Sequence, residues 1–471
     1  MDHAKQPALK ADDLSDPPNP AGGSSPSRAA EPFAEPFAEF MQGALPEWAL
    51  VRNAMDPAEV VDVAAAVQDA LASVASSVPA GSRVCLAVGS RGIDRIDEVV
   101  RAAVAWLRQA GMDVFIVPAM GSHGGATPEG QLEVLATYGI TPRSVGCEIR
   151  SSMETVELGE VRPGVPVFMD RNAREGADVV IPINRVKPHT DFRGEIESGL
   201  MKMIAIGLGK QKGADTFHRQ GFATFRDLIP AVAEYTMSKV NIPFGLALVE
   251  NGYSRLWRIE AVARDRIWDR ERELLVLARE RMARLPLDAI DVLILDYIGK
   301  DVSGLGMDSN VVGRYYDGAL AAGPAIQRII VRDLTEETEG NAVGIGLSDV
   351  VLRRAVERMD AYKTYMNCIT AKTPEGGRVA LTADFDRQAL AIAIACCLKV
   401  TPPEARIVRV RDTKHLELMY VSAPALESVL ARSGCELVSP PAPIEFDSNG
   451  MFADAPAWSE AAAWSEGSPE R

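Results

Sequence analysis

Short apolar runs that end in turn residues alternate with longer amphipathic stretches through most of the chain. Three such runs cover residues 82–90, 113–121 and 178–184, and a helical pattern follows each of the first two. Apolar runs of this length are typical of buried strands, and their alternation with helices is typical of a parallel sheet. Pro182 favours an edge position or a bulge for the third run, because proline cannot donate a ladder hydrogen bond. The pattern predicts an α/β fold.

A charged helical stretch near residues 267–285 divides the predicted strands into two sets. The stretch ends before Pro286, and residues 288–299 begin the second set with a new apolar run. We therefore predict two α/β domains, residues 44–286 and 287–446, each with a largely parallel sheet. Ligand sites commonly lie between such domains, so we expect a cleft there.

The two ends of the chain differ in composition from the part between them. Residues 1–43 are rich in Pro, Ala, Ser and Glu and contain the duplication EPFAEPFAEF, while residues 447–471 contain PAWSEAAAWSE. Segments of this kind bury too little apolar surface to offset the entropy of ordering. Both ends are predicted to be disordered tails.

Composition and charge narrow the class of protein. The 471 residues include 47% hydrophobic and 24% charged residues, the proportions of an ordinary globular chain. No apolar run reaches the roughly 18 residues that span a bilayer, and no signal peptide precedes the first domain, so we expect a cytoplasmic protein without a membrane partner. The net charge of −15 disfavours nucleic acid as a partner. The six cysteines form no C-x-x-C pair and are expected to be reduced.

Three of the five histidines stand where a binding site is expected. His123 and His189 each follow a predicted strand, and His218 lies farther along the first domain. In open α/β sheets, the loops beyond the carboxyl ends of the strands form the binding crevice. A lone histidine is more often a packing residue, but three on one rim favour acid/base or metal chemistry.

Lys202 stands in an unusually apolar segment. Residues 197–209 (ESGLMKMIAIGLG) predict a buried helix capped by Ser198, and no acidic side chain lies one turn from Lys202. A charged lysine buried in this way costs several kcal/mol unless it is paired from elsewhere, neutral or covalently modified. The alternative is that its aliphatic stem carries the ammonium group to water.

Several glycine-rich motifs together resemble the lactate racemase family. They are GSRG (89–92), PAMGSHGG (118–125), NRVKPHTDFRG (184–194) and SGLMKMIAIGLGKQKGADTFH (198–218), with a looser match at IGKDVSGLGMD (298–308). The resemblance implies a racemase or epimerase that moves a hydride at C2 of a 2-hydroxy acid. It also implies a nickel-pincer nucleotide, in which a pyridinium mononucleotide with two sulfur groups holds nickel.

The same resemblance assigns the residues that hold this cofactor. Lys202 would be joined to it through a thioamide, and His218 would be the imidazole ligand of nickel. Ser90 and Arg91 match residues that hold the cofactor phosphate. A covalent role would account for a lysine within an apolar segment.

The resemblance also implies how the substrate is handled. His123 and His189 would be paired acid/base groups, one on each side of the substrate, as an enzyme that accepts both configurations requires. The stretch after His189 is longer than in lactate-specific members and contains Arg193 and Glu195. This departure implies a substrate more polar than lactate, with Arg193 as a contact.

The sequence leaves alternatives open for the role of Lys300, for the function and for the oligomeric state. Lys300 is expected to meet the substrate carboxylate when the domains close, or else to cap its own loop at the surface. A nicotinamide-dependent oxidoreductase stays open, although the chain lacks the dinucleotide fingerprint. So do a non-catalytic protein that binds a carboxylate or phosphate on the same fold, and a homo-oligomeric state.

Overall fold

The computed structural model describes residues 39–40, 43–89, 92–316, 320, 323–453 and 458. Most of the two predicted tails therefore lies outside the described residues, as do Ser90 and Arg91.

The described chain is built from strands and helices of very unequal length. The strands are β1 Trp48–Asn53, β2 Arg83–Val88, β3 Asp113–Pro118, β4 Glu148–Ile149, β5 Thr155–Arg162, β6 Val165–Asp170, β7 Val179–Arg185, β8 Phe244–Glu250, β9 Leu256–Ala263, β10 Ala289–Ile298, β11 Ala325–Leu334, β12 Val350–Leu352, β13 Leu381–Ala383, β14 Ile407–Val410, β15 Leu418–Ser422 and β16 Cys435–Leu437. The α-helices are α1 Val63–Ala72, α2 Ile96–Gln109, α3 Pro128–Thr137, α4 Pro142–Val145, α5 Arg171–Gly176, α6 Leu200–Lys202, α7 Lys210–Gln220, α8 Phe225–Lys239, α9 Ile267–Arg281, α10 Ser309–Val312, α11 Arg353–Glu357, α12 Ala361–Ala371, α13 Asp386–Ala395 and α14 Ala423–Leu430.

The first domain is a sheet covered by helices on both faces. Its strand order is β4-β3-β2-β7-β8-β9, with all neighbours parallel except β8 and β9. Val84 and Leu86 of β2 pack in one core with α1 and α2, while Cys85 and Ala87 pack in the other with α8 and α9. Burial on both faces explains why the strands read as continuous apolar runs. The predicted α/β fold is confirmed.

The prediction of an edge position for the strand around Pro182 is wrong. β7 lies between β2 and β8 in the middle of the sheet. Pro182 is opposite Ala87 of β2, and the ladder with β8 begins only at Ile183. The missing N–H group of the proline therefore falls before that ladder begins, where a central strand tolerates it.

The second domain has a mixed sheet of order β13-β12-β11-β10-β14-β15-β1-β16. Strands β10 to β14 are mutually parallel, whereas β15, β1 and β16 pair antiparallel. β1 was expected in the first domain, within residues 44–286, and this part of the assignment is wrong. Strand pairing is decided by residues distant along the chain, so the partner of β1 cannot be predicted from its local sequence.

Part of the predicted C-terminal tail packs on the second domain, so the prediction of a disordered tail from residue 447 is wrong for residues 447–453 and 458. Trp458 is 8% exposed, and its indole N–H donates to Asp296 Oδ2 at 2.8 Å. Asp296 is itself paired with Arg409 and Arg332, each at 2.9 Å. Burial opposes ionisation of Asp296, but the two guanidinium groups hold its pKa below the ordinary value. Aromatic burial over this charged cluster outweighs the polar composition of the segment.

The cysteines and the length of the helices bear on two expectations from composition. All six cysteines are free thiols, three of them buried. Across the part of the chain that the structure describes, no helix combines the length and the apolar character needed to cross a bilayer.

Removing the indole of Trp458 should destabilise the second domain. We expect Trp458→Ala to lower the free energy of unfolding by about 2–4 kcal/mol, because the side chain leaves a cavity and Asp296 loses a donor. Urea denaturation measures this, with Tyr362→Ala as the control, since Tyr362 is 76% exposed. Equal stability of the two variants would show that the segment is not anchored by its tryptophan.

Candidate active site between the two sheets

In each sheet the chain adds strands first on one side of a central strand and then on its other side, so the strand order reverses beside that strand. In the first sheet the chain runs from β2 through β3 to β4 on one side, then from β7 through β8 to β9 on the other. In the second sheet it runs from β10 through β11 and β12 to β13, and β14 lies on the opposite side of β10. Ligands of open α/β sheets bind beyond the carboxyl ends of the strands at such reversal points.

The loops at the two reversal points face each other across an open cleft. The first-domain wall consists of Gly92 after β2, residues 185–188 at the end of β7 and residues 250–252 after β8. The opposite wall includes residues 300–304 after β10 and residues 413–414 after β14. The structure therefore contains a cleft between the domains. Its lining residues include Lys300 but not His123, His189, Lys202 or His218.

Charged side chains of both signs line this cleft. Lys187 pairs across the domain boundary with Asp308, with Nζ and Oδ2 3.9 Å apart. Arg185 pairs with Glu250, whose other carboxylate oxygen accepts the N–H of Asp94 at 2.8 Å. That bond ties the turn after β2 to the end of β8. Ser90 and Arg91, predicted to hold a phosphate, lie outside the described residues.

Lys300 lines the second-domain wall of the cleft and also closes its own loop. Its ammonium group donates to the carbonyl of Gly304 at 2.7 Å, and its N–H donates to Thr338 Oγ1 at 3.1 Å. The residue is exposed. Both sequence alternatives for Lys300, the cleft cation and the loop cap, are compatible with this position.

The segment that carries Lys202 is a short helix continued by a π-helix. α6 ends at Lys202, and the π-helix covers Met203–Gly207. Single π turns within helices occur frequently at functional sites. Lys202 is half-buried rather than enclosed, which favours the alternative that its aliphatic stem reaches towards water over full burial of the side chain.

The N-terminus of α6 is capped from a distant helix. Ser198, predicted to cap it, instead bridges to Lys187. The buried carboxyl group of Glu271 in α9 accepts the N–H of Met201 at 3.0 Å, and burial raises the pKa of Glu271 to about 7. A side chain at Gly199 would lie 2.2 Å from Glu271 Oε1, so this approach requires glycine.

His218 has the properties of a neutral ligand. It lies in the last turn of α7, where burial first and then the charge of Lys202 lower its pKa to about 4. Its Nδ1 atom is buried and has no hydrogen-bond partner among the described residues. Its ring packs against Phe222 and Phe225, with centroids 5.5 and 5.7 Å away. A neutral imidazole is the form that binds a metal ion.

His189 lies next to His218 on the same aromatic wall. Its ring is 4.4 Å from that of Phe192 and 6.3 Å from that of Phe222, which also contacts His218. His189 Nδ1 accepts the N–H of Asp191 at 3.0 Å. In the neutral imidazole this bond places the proton on Nε2.

His123 is exposed on the loop after β3. Gln131 Nε2 donates to the carbonyls of Gly121 and His123 at 3.0 and 3.3 Å. The N–H of Gly121 donates to the carbonyl of Gly207 at 3.2 Å, which joins this loop to the π-helix. The structure therefore places the His123 loop against the segment between Lys202 and His218.

Lys210 is the fully buried lysine of this region, and sequence reasoning missed it. Its ammonium group donates to the carbonyl of Pro118 at 2.6 Å and to Gln131 Oε1 at 2.9 Å, and it lies 3.1 Å from Asp170 Oδ2. Burial lowers the pKa of Lys210 and raises that of Asp170, so desolvation opposes the pair. The contacts connect the loop after β3 to the start of α7. The available signal was a lysine directly after the apolar run IAIGLG.

Arg193 lies in the interface between the domains rather than in the cleft wall. Its guanidinium group contacts Asn310 Oδ1 and the hydroxyl of Tyr315, both in the second domain. Glu195, predicted with it to face a polar substrate, instead pairs with Arg272 at the surface.

Comparisons with known proteins concern mainly the first domain. Residues 45–226 match the family model described as the lactate racemase N-terminal domain. That span contains the predicted cofactor and acid/base residues of the first domain. No curated protein matches the chain.

Two solved structures are similar to this chain. A crystal structure of a Thermotoga maritima protein has 14% identity and a TM-score of 0.46, covering 75% of this chain and 97% of that one. The lactate racemase apoprotein from Thermoanaerobacterium thermosaccharolyticum has 14% identity and a TM-score of 0.45, covering 80% and 94%.

Removing only the cation of the buried pair of Lys210 and Asp170 should destabilise the protein more than removing both charges. We expect Lys210→Met to lower the free energy of unfolding by about 3–5 kcal/mol, because it leaves a buried carboxylate without its cation. The double variant Lys210→Met with Asp170→Asn should recover much of that loss. Chemical denaturation of the single and double variants tests this, and strictly additive effects would contradict the coupling.

His218 should remain neutral well below neutral pH. We expect its imidazole NMR signals to stay constant from pH 7.5 to 5, while a histidine peptide titrates near 6.5. Because the folded pKa is depressed, the unfolded chain binds this proton first, and folding stability is lost as pH falls from about 6.5 towards 4. A His218 midpoint near 6.5 would contradict the desolvated site.

Proposed function

We propose, from the match of residues 45–226 to the lactate racemase N-terminal domain, that the chain is a racemase or epimerase of a 2-hydroxy acid using a nickel-pincer nucleotide. One observation carries the proposal. His218 presents a buried Nδ1 without a hydrogen-bond partner among the described residues, and its ring packs against Phe222, which also contacts the ring of His189.

The residues of this site fit the cofactor. His218 offers a neutral imidazole with a buried, unpartnered Nδ1 among the described residues, as a ligand position requires. Lys202 offers a primary amine on a half-buried helix end, suited to a covalent tether. The described residues contain no group of three or more His, Cys, Asp or Glu side chains that could hold a metal. In our proposal His218 is therefore joined by ligands from the cofactor itself.

When bound, the nickel-pincer nucleotide supplies the acceptor and donor of the hydride at C2. The protein handles the proton of the substrate hydroxyl group. His189 would accept the hydroxyl proton at Nε2 as C2 is oxidised and return it as C2 is reduced, cycling between neutral imidazole and imidazolium. For this its ring proton must stand on Nδ1, which lies 3.6 Å from Asp191 Oδ2, instead of on Nε2. His123, on the glycine-rich loop after β3, does the same from the opposite face.

The surroundings of His189 favour such a transfer. Phe192, Phe222 and Phe225 form an apolar wall beside the imidazole, with Phe192 and Phe225 in edge contact at 5.5 Å. An apolar wall limits the access of water and strengthens the electrostatic interactions of a bound anion. The glutamate cap of α6 and the buried Lys210 keep the neighbouring backbone in place.

The substrate carboxylate is proposed to bind at the cation-rich side of the cleft. Lys187 and Lys300 project from opposite walls, so a small anion between them would contact both domains. Of the two, Lys300 lies on the wall that carries none of the proposed cofactor residues. We assign the carboxylate contact to it.

Replacing Lys300 with alanine should weaken substrate binding without affecting the metal. We expect the KM for the hydroxy acid to rise about tenfold, equivalent to about 1.4 kcal/mol, with unchanged nickel content. Lys363→Ala is the matched control, because Lys363 is exposed and pairs with Glu339 on the surface. An unaltered KM would return Lys300 to the role of a loop cap.

Nickel content and intact mass test the cofactor assignment directly. Produced in a host that makes the cofactor, the chain should carry nickel and an added mass that Lys202→Ala removes. His218→Ala should lose nickel while keeping most of the added mass. Lys212→Ala, at an exposed lysine in α7, should change neither.

Each alternative function predicts a different result in this experiment. Full turnover and nickel retention in Lys202→Ala would contradict the tether. A wild-type chain without nickel or added mass, but with nicotinamide-dependent turnover, would indicate an oxidoreductase. Ligand binding without any turnover would indicate a binding protein.

A further inference from the structure

The position of His189 is determined by hydrogen bonds from both domains. Its carbonyl oxygen accepts from Arg193 Nη1 at 2.8 Å and from Asn310 Nδ2 at 3.3 Å. Asn310 belongs to α10 of the second domain and is 8% exposed. A residue of the second domain therefore bonds directly to the backbone of a proposed catalytic histidine in the first.

Asn310 is held rigidly by its own domain. Its side-chain amide donates to Asp308 Oδ1 at 2.7 Å, and its N–H donates to the same oxygen at 2.9 Å. Its side-chain oxygen Oδ1 accepts from Arg193 and from the hydroxyl of Tyr315. The bonds with Asp308 and Tyr315 lie within the second domain, so Asn310 moves with that domain, whereas its bond with Arg193 crosses to the first.

The first domain holds the other end of the same residue independently. The N–H of His189 donates to Glu197 Oε2 at 2.7 Å. The buried Glu197 carboxylate is held in turn by Arg279 at 2.7 Å and by the N–H of Gly194 at 3.1 Å. Movement of the second domain would leave this bond in place, but it would remove the Asn310 bond from the His189 carbonyl and the Asn310 and Tyr315 contacts that orient Arg193.

We infer that Asn310 and Arg193 are positioning residues that make the placement of the His189 imidazole depend on contact between the domains. Without their bonds, the peptide group after His189 can turn about its fixed N–H end. Asp191 follows this peptide group and would turn with it, so the imidazole would lose the N–H bond to its Nδ1 that fixes its orientation. As a statement about catalysis this inference rests on the proposed function, but the geometric dependence does not.

The arrangement gives domain contact a role in the reaction. A substrate held between the cations of opposite walls draws the second domain towards the first. Asn310 already bonds to the His189 carbonyl in this arrangement, so a substrate that holds the domains together also holds the acid/base group in place. Active-site closure commonly completes a catalytic constellation in this manner.

Imidazole NMR provides a test that does not require activity. The chain has only five histidines, so single substitutions assign each ring signal. In Asn310→Ala and Arg193→Ala we expect the His189 signals to shift or broaden, while those of His415 stay unchanged. Arg272→Ala is the matched control, because its partner Glu195 belongs to the same loop but does not contact His189 in the bonds described.

Two conservative variants keep the test decisive if an alanine variant fails to fold. Asn310→Asp removes the donor to His189 but preserves the acceptor for Arg193, so the His189 signals should still move. Tyr315→Phe removes one hydroxyl partner of Arg193 and should produce a smaller shift of the same kind. Unchanged His189 signals in folded Asn310→Asp would overturn the inference.

Kinetics separate this inference from the proposed function. If the chain is a racemase, Asn310→Asp should lower kcat while nickel content and intact mass stay as in the wild type. A wild-type chain without racemase turnover would remove the proposed function and leave the NMR comparison valid. Normal kcat together with shifted His189 signals would limit Asn310 to a structural role and contradict its positioning role in catalysis.

Discussion

The placement of two strand-order reversals opposite each other is the constraint on which the rest of the structure depends. Each reversal opens a gap between loops at the carboxyl ends of a parallel sheet. The first contributes the turn after β2 and the loop after β7, and the second contributes the loops after β10 and β14. Contacts from Lys187 and Arg193 to the second domain keep the two gaps aligned.

The first domain retains several locally unfavourable features around this cleft. Lys210 is buried beside Asp170, and its φ of 53° is in the left-handed region that disfavours a side chain. A π-helix interrupts the segment after Lys202, and the carboxyl group of Glu271 is buried beneath it. Such features destabilise a fold unless the surrounding structure holds them, and they cluster at functional sites. Here they connect the loops that carry His123, Lys202 and His218.

The local features of the fold could be predicted from the sequence, but the long-range pairings could not. Apolar runs between turn signals predicted the α/β class and placed His123 and His189 beyond strand ends, because these patterns depend on neighbouring residues. The partner of β1 and the central position of β7 depend on residues far along the chain. For the same reason the anchoring of Trp458 on Asp296 was missed.

In the candidate site, too, sequence patterns indicated which residues are unusual but not which distant residues they contact. The apolar segment around Lys202 indicated an unusual lysine, yet the fully buried lysine is Lys210, whose partners Pro118, Gln131 and Asp170 come from three other elements. Arg193 was expected to contact substrate because of its position in the loop. The fold directs it to Asn310 instead, a contact that no local pattern encodes.

Diffraction at the nickel absorption edge, from crystals of the chain produced with the cofactor, tests the central claim most directly. The account predicts one anomalous peak within bonding distance of the His218 imidazole, with electron density continuous from the cofactor to Lys202. Nickel bound only at a surface histidine such as His415, or at a position that Lys202 cannot reach through one mononucleotide, would contradict it.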